Sequence, residues 1–302
     1  MIHGVLNIYK EKGYTSHDVV AKLRGILKQK KIGHTGTLDP DAQGVLPVCL
    51  GKGTKLCDML TDKEKTYRAV LLLGQTTDTQ DVTGQVLHTA LVEASEEEAE
   101  RVIRGFEGGY EQIPPMYSAL KVDGKKLCDL ARAGKTVERK ARPVMIHEIV
   151  IERMELPRVT MQVTCSKGTY IRTLCQDIGE RLGCGGCMES LTRTKVGRFR
   201  IEDSVRLEQV AEAVEQGRLS ELVIPVDQMF AGLPEISVKQ EFRRLIENGN
   251  PVSEDMLLEP RKAEDGQQVR LYDDQGCFFA VYAYCGRHQR FEPVKMFYEK
   301  ED

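Results

Sequence analysis

The chain of 302 residues has room for one large domain and a small appendage, and its composition, 41% hydrophobic and 29% charged, excludes a disordered or fibrous protein. No apolar run approaches the span of about twenty residues that a membrane helix needs, and no signal-like pattern opens the sequence, so a cytoplasmic, membrane-free setting is expected. The formal charge of −3 averages over surfaces that a polyanion would meet separately, and the nine cysteines, odd in number, are expected to stay reduced.

In chain order, GVLNIYKEKG reads as a strand and turn. SHDVVAKLRGILKQ then places Val19, Val20, Leu23, Ile26 and Leu27 at helical spacing, with Ser16 as the expected N-cap. The stretch 33–53 is rich in glycine and carries Pro40 and Pro47, so it is expected to be mostly ordered loop. TYRAVLLLG at 66–74, PVMIHEIVIERM at 143–154 and PRVTMQVTCS at 157–166 are β-rich and bounded by turns; they predict strands of one sheet. Helical patterns at 95–107, 169–182 and 206–216 interrupt them, which gives an α+β class with strands and helices in irregular alternation. From about residue 232 the pattern changes to short β-like runs, so a small β-rich domain over 232–302 is expected to follow a larger one over 1–230.

Charge is uneven. Five basic residues and no acid lie between Lys22 and Lys31, and eight basic against three acidic residues lie between Lys121 and Arg142. Such runs are often solvated helix faces, but several of them around one motif favour a nucleic-acid partner.

The most specific segment is GHTGTLDPDAQGVLPVCLG at 33–51. Its glycines and prolines fix an unusual backbone and hold Asp39 near His34. This segment resembles the catalytic segment of the bacterial tRNA pseudouridine-55 synthases, the TruB family, with Asp39 at the position of the nucleophile. Four further blocks resemble the same family in the same order: KTYRAVLLLGQTTDTQDVTG at 65–84, PPMYSALKVDGKKLCDLARAG at 114–134, CSKGTYIRTLCQDIG at 165–179 and LTRTKVGRF at 191–199. The chain departs from the family pattern at Asp41 and Gln43, so Asp41 is a second carboxylate of unassigned role.

The resemblance implies a pseudouridine synthase catalytic domain with a mixed, mainly antiparallel sheet flanked by helices and loops, and a C-terminal PUA-like RNA-binding domain. It implies isomerisation of the uridine at position 55 in the T-arm loop of tRNA, without cofactor, metal or obligatory protein partner. Arg172 is then the cation that pairs with Asp39, and Tyr67 stacks on the uracil and accepts the C5 proton. Leu191 closes the apolar side of the pocket, His34 takes the stacking place of the extruded base, and Tyr170 and Lys167 complete the substrate contacts. The basic segment 114–142 corresponds to the family's RNA-binding thumb. Burial alone would raise the pKa of Asp39, and the guanidinium is expected to keep it ionised. Whether Asp39 attacks C6 of the base or C1′ of the sugar, or removes a 2′ proton, stays open.

Spacing argues against other readings. The glycine before Gly51-Lys52-Gly53-Thr54 lies too far upstream for a phosphate-binding loop, and no apolar strand leads directly into Asp39 as an aspartyl-phosphate phosphatase would need. Cys184 and Cys187 are half a zinc site without a second pair. A non-catalytic RNA-binding protein would need the basic clusters but not Asp39, Tyr67 and Arg172 together.

Overall fold

The structure, a computed structural model, describes residues 1–122 and 124–299; Asp123 in the basic segment and the last three residues of the expected tail lie outside the described residues. In chain order the larger unit comprises β1 (Gly4–Lys10), α1 (Ser16–Leu27), β2 (Ile32–His34), β3 (Gln43–Leu50), α2 (Cys57–Thr61) and β4 (Lys65–Leu73). A hairpin of β5 (Gln75–Thr77) and β6 (Val86–Thr89) follows, then α3 (Glu96–Arg104), β7 (Gly108–Gln112), β8 (Lys121–Val122), β9 (Lys125–Lys126) and α4 (Leu127–Arg132). It ends with β10 (Arg142–Glu155), β11 (Arg158–Cys165), α5 (Ile171–Arg181), β12 (Gly186–Val196), β13 (Phe199–Arg200) and α6 (Leu207–Glu215).

Among the described residues these strands form a nine-stranded sheet in the order β1-β3-β12-β4-β11-β10-β7, with β2 added to β3 and β13 to β12. Its strand pairs are antiparallel except β12 with β3, where Thr192 and Arg193 lie beside Gln43 and Gly44. Gly44 has φ +108, and a Cβ there would sit 2.2 Å from the carbonyl oxygen of Arg193, so the parallel contact requires glycine at that position.

The sheet buries both faces. On one side Leu174, Cys175 and Ile178 of α5 pack on Ala69, Leu71, Val159, Met161 and Val163. On the other, Val19, Val20, Leu23 and Leu27 of α1, with Val210 of α6, cover Leu6, Ile8, Leu46, Val48 and Leu50. β3 is buried on both faces, with Leu46, Val48 and Leu50 in one core and Val45 and Cys49 in another, which explains its continuous apolar run; β11 buries one face more deeply than the other and so alternates.

Two local expectations are corrected. The N-cap of α1 is Thr15, which forms a capping box with Asp18, whereas Ser16 is buried in the first turn. The stretch 33–53 is loop only between β2 and β3, because β3 runs through Pro47. The strand continues through it because Pro47 still pairs by its carbonyl, which accepts from the Thr35 N–H at 3.2 Å just beyond the end of β2, so the proline forgoes only its own donor.

The tail holds β14 (Glu235–Ser237), α7 (Arg243–Glu247), β15 (Val252–Ser253), β16 (Gln268–Tyr272), β17 (Phe278–Cys285) and β18 (Arg290–Met296), in a sheet ordered β14-β16-β17-β18-β15. It has a core of its own, centred on Val269, Leu271, Phe279, Tyr282 and Phe291. It also shares one: Val281 and Phe297 pack with Val5, Val45, Leu56, Val196 and Phe199 of the larger unit. Burying a large apolar side chain contributes about 1.5–3 kcal/mol. Truncation after residue 231 is therefore expected to lower the melting temperature of what remains by about 10 °C or more, measured by thermal unfolding. An unchanged melting temperature would show that the seam contributes no stability.

Candidate active site

Asp39 sits in the loop between β2 and β3, and both of its neighbours are clamped from below. The backbone N–H of Leu38 donates to Ser16 Oγ at 2.9 Å. Lys10, fully buried, donates from Nζ to the carbonyl of Pro40 at 3.2 Å and to that of Tyr14 at 2.5 Å. The turn closes with the Ala42 N–H donating to the Asp39 carbonyl at 3.1 Å, and Pro40 pre-sets its second residue. The carboxylate is thus held on a fixed backbone.

Arg172 reaches it from the first turn of α5. Its side chain is 6% exposed; Nη2 lies 3.0 Å from Asp39 Oδ2, and Nη1 lies 3.8 Å from Asp81 Oδ2. The guanidinium also donates to the carbonyls of Thr79 at 3.1 Å and Tyr117 at 2.7 Å. Only a planar, five-donor head can serve two carboxylates and two carbonyls together. The helix that carries Arg172 is positioned by close contact: a Cβ at Gly179 would lie 2.2 Å from the Gly185 backbone, so α5 packs directly against the turn that leads into β12. Gln112, buried at the end of β7, grips the start of α5, accepting from the Tyr170 N–H at 2.8 Å and donating to the Tyr170 carbonyl at 3.1 Å.

Asp39, Tyr67, Lys167, Tyr170, Arg172 and Leu191 all line one open-mouthed cavity of about 320 Å³. Tyr67 and Arg193 face each other across β4 and β12. Leu191, opposite Ala69 of β4, is buried in the core that Tyr67 and α5 share. Lys167 stands at the mouth, with Nζ 2.7 Å from Asp62. The segment 114–142 contributes Ser118, Ala119 and Leu120, and its basic residues beyond Lys121 are mostly exposed.

One sequence-predicted residue, His34, and the unassigned Asp41 lie outside the cavity lining. His34 is not among the residues lining the cavity; its Nδ1 accepts from the Gly36 N–H at 3.3 Å, and burial together with Arg193 keeps its pKa below the usual value. Asp41 points outward, 3.8 Å from Lys12. Asp81 and Gln112, by contrast, were missed, although the aspartate stands in the 65–84 block. Its role becomes visible only when the β5–β6 hairpin folds back over α5.

Burial raises the pKa of Asp39 and the Asp81 charge adds to the rise, while Arg172 opposes it without cancelling it. The side chain is 40% exposed toward the cavity. Solvent entering the mouth therefore screens part of the effect, and a base filling the cavity would strengthen it. Burial likewise raises the Tyr67 phenol, and Arg193 pulls it back.

Among the described residues no two cysteines form a disulfide, and Cys184 and Cys187 are buried thiols. Among the described residues the donors that converge as a metal could require are Cys285, His288 and Glu292 in the tail, where Arg290 Nη2 already holds Glu292 at 2.9 Å.

Residues 24–171 match the profile of the TruB family pseudouridylate synthases, N-terminal domain, and residues 172–231 match that of the tRNA pseudouridylate synthase B C-terminal domain. The chain belongs to the TruB family. Among its TruB relatives, a protein of Lachnoclostridium phytofermentans named tRNA pseudouridine synthase B is 52% identical, over 98% of this chain and 100% of that one. One of the same name from Clostridium kluyveri is 44% identical over 97% and 99%. The TruB fold recurs in a crystal structure of a Cbf5-Nop10-Gar1 complex, 26% identical with a TM-score of 0.71, covering 98% of this chain and 85% of that one. An H/ACA RNP bound to a substrate RNA containing 2′-deoxyuridine contains a chain of the same fold, 24% identical with a TM-score of 0.71, covering 99% and 86%.

Proposed function

We propose that this chain is a tRNA pseudouridine synthase that isomerises the uridine at position 55 of the T-arm loop, with Asp39 as its nucleophile. The observation that carries the reading is the 3.0 Å pair of Arg172 with Asp39 in a cavity whose volume suits a single nucleobase. Isomerisation needs no redox change: the N1–C1′ bond breaks, the base turns, and C5 joins the same sugar carbon. A carboxylate held by a guanidinium, a partly dry pocket and a wall to retain the free base suffice, so no cofactor is invoked.

In this reading Arg172 fixes Asp39 toward the target nucleotide, and Asp81 holds the far edge of the guanidinium so that it cannot swing away. Tyr67 and Leu191 sandwich the base. For Tyr67 to accept the C5 proton, its own hydroxyl proton must be moved or lost, and Arg193 is the group that eases this. His34 serves the RNA outside the cavity, stacking where the extruded uridine has left. The exposed cations of the thumb, 114–142, and the PUA-like tail from 232 add sequence-independent phosphate contacts. Extruding the base costs a few kcal/mol, which such contacts offset.

No helix among the described residues is long and apolar enough to cross a membrane. The reading places the chain in the cytoplasm with tRNA and requires no protein partner. The test is tritium release from tRNA carrying C5-labelled uridine. Release of one equivalent per tRNA is expected, from position 55 and unaffected by chelator; no release from unmodified tRNA would sink the assignment.

A further inference from the structure

The cavity contains more positive charge than Asp39 explains. Arg172 is occupied by Asp39 and Asp81, yet two more buried cations, Lys65 and Arg193, line the same space. Among the described residues neither is in ion-pair contact with a carboxylate. Arg193 donates through Nε to the carbonyl of Val45 at 2.8 Å and through Nη2 and Nη1 to those of Gly36 at 3.3 Å and Thr37 at 3.4 Å. Lys65 spends two of its three protons on the carbonyls of Thr61 at 2.6 Å and Lys63 at 2.7 Å, leaving one N–H without a partner among the described residues.

Buried cations without counter-ions are costly. The cost registers in Lys65, whose pKa falls to about 8 through desolvation and then through repulsion by Arg193. Carbonyl clamping of the loop at 36–37 accounts for Arg193. It does not account for Lys65, because the two carbonyls that it holds, at 61 and 63, belong to the exposed end of α2 and the turn after it.

The chemistry supplies the missing anion. When the N1–C1′ bond breaks heterolytically, the bonding pair stays with the base, so uracil departs as a monoanion delocalised over N1, O2 and O4. Its recombination through C5 returns a pair to the sugar carbon; C5 then gives up its proton and N1 takes one up from solvent, so the product is an isomer of the substrate with no net change in charge. Asp39 makes the cavity hostile to this second negative charge unless a cation meets it.

We propose that Lys65, beside Arg193, is a catalytic residue that receives the charge of the departing uracil through its remaining N–H. This deepens the reading of the cavity as a uridine site and rests on it. The charge is fixed in place before the bond breaks and is opposed only when the anion forms, so it favours the transition state over the bound substrate.

The test compares Lys65→Met and Lys65→Gln with the wild-type full chain on two tRNA transcripts, one with uridine and one with 5-fluorouridine at the target position. Fluorine withdraws electrons and stabilises the ring anion by itself. On uridine, both variants are expected to lose roughly 100-fold in single-turnover rate, with tRNA affinity within about threefold of wild type. On 5-fluorouridine, read as its disappearance at that position, the loss is expected to shrink to about tenfold. Lys65→Gln retains donors for the carbonyls of Thr61 and Lys63, so it separates charge from scaffolding even if Lys65→Met folds poorly. Equal losses on both substrates, or a wild-type rate in Lys65→Gln, would overturn the proposal. A wild-type chain that leaves the target uridine unchanged would instead overturn the assignment of function.

Discussion

Asp39→Asn is expected to abolish pseudouridine formation while leaving tRNA binding intact. Asparagine has nearly the same shape, so the turn over 39–42 and the clamps on Leu38 and Pro40 stay in place; what disappears is the negative charge. Loss of a nucleophile costs at least about 10⁴-fold in turnover, and filter binding should report an affinity within about threefold of wild type. The variant should be no less stable. Because the pKa of Asp39 is raised on folding, the folded chain holds that proton more tightly than the unfolded chain does. Its stabilising contribution is present at low pH and is lost as pH rises through the folded value, so at neutral pH the ionised carboxylate weighs against folding. A neutral amide removes that burden, and the melting temperature of Asp39→Asn is expected at or above that of wild type. The same shift places the acid limb of the wild-type rate profile above the ordinary carboxylate value of 3.8. Turnover retained by Asp39→Asn would remove Asp39 from the chemistry.

Much of this arrangement is legible in the sequence because it depends on local pattern. The β-rich runs at 66–74, 143–154 and 157–166 become β4, β10 and β11, and the helical periods at 95–107, 169–182 and 206–216 become α3, α5 and α6. The antiparallel pairing of β10 with β11 follows from their short connection. What the sequence hides is what depends on distant contacts. Pro47 reads as a strand breaker until β3 is seen to pair with β1 on both sides of it in sequence and its carbonyl to accept from Thr35. Ser16 reads as a cap because Ser is a good one, but Thr15 precedes it with Asp18 at the right spacing, and Ser16 is needed to hold Leu38. His34 adjoins the loop that carries Asp39 in sequence and yet is not among the residues lining the cavity. Asp81 and Gln112 are far from Arg172 and Tyr170 along the chain, and neither carries a local signal of the contact that it makes.

Removal of Arg172 has the second largest expected effect, because it would leave Asp39 and Asp81 facing each other without their shared cation. Two carboxylates so placed raise each other's pKa, and a larger fraction of Asp39 is then protonated at any given pH. Arg172→Ala is expected to lose roughly 10²–10³-fold in single-turnover rate, as when one preorganised donor is removed elsewhere, and its acid limb should move upward from that of wild type. Truncating a fully buried ion pair costs about 3–5 kcal/mol; because Asp39 is 40% exposed, the lower end of that range or less is expected, read as a fall in melting temperature. Arg172→Lys keeps the charge but not the fork. It can satisfy Asp39 or Asp81, not both carboxylates and the carbonyls of Thr79 and Tyr117, so it should recover the pH profile more fully than the rate. Asp81→Asn separates the two duties of the guanidinium. Asp39 keeps its 3.0 Å partner and loses a repelling neighbour, so the acid limb should move downward even as the less firmly held Arg172 lowers the rate. Opposite displacements of the acid limb in Arg172→Ala and Asp81→Asn would be difficult to produce by misfolding. A wild-type rate and profile in Arg172→Ala would show that Asp39 works without its guanidinium.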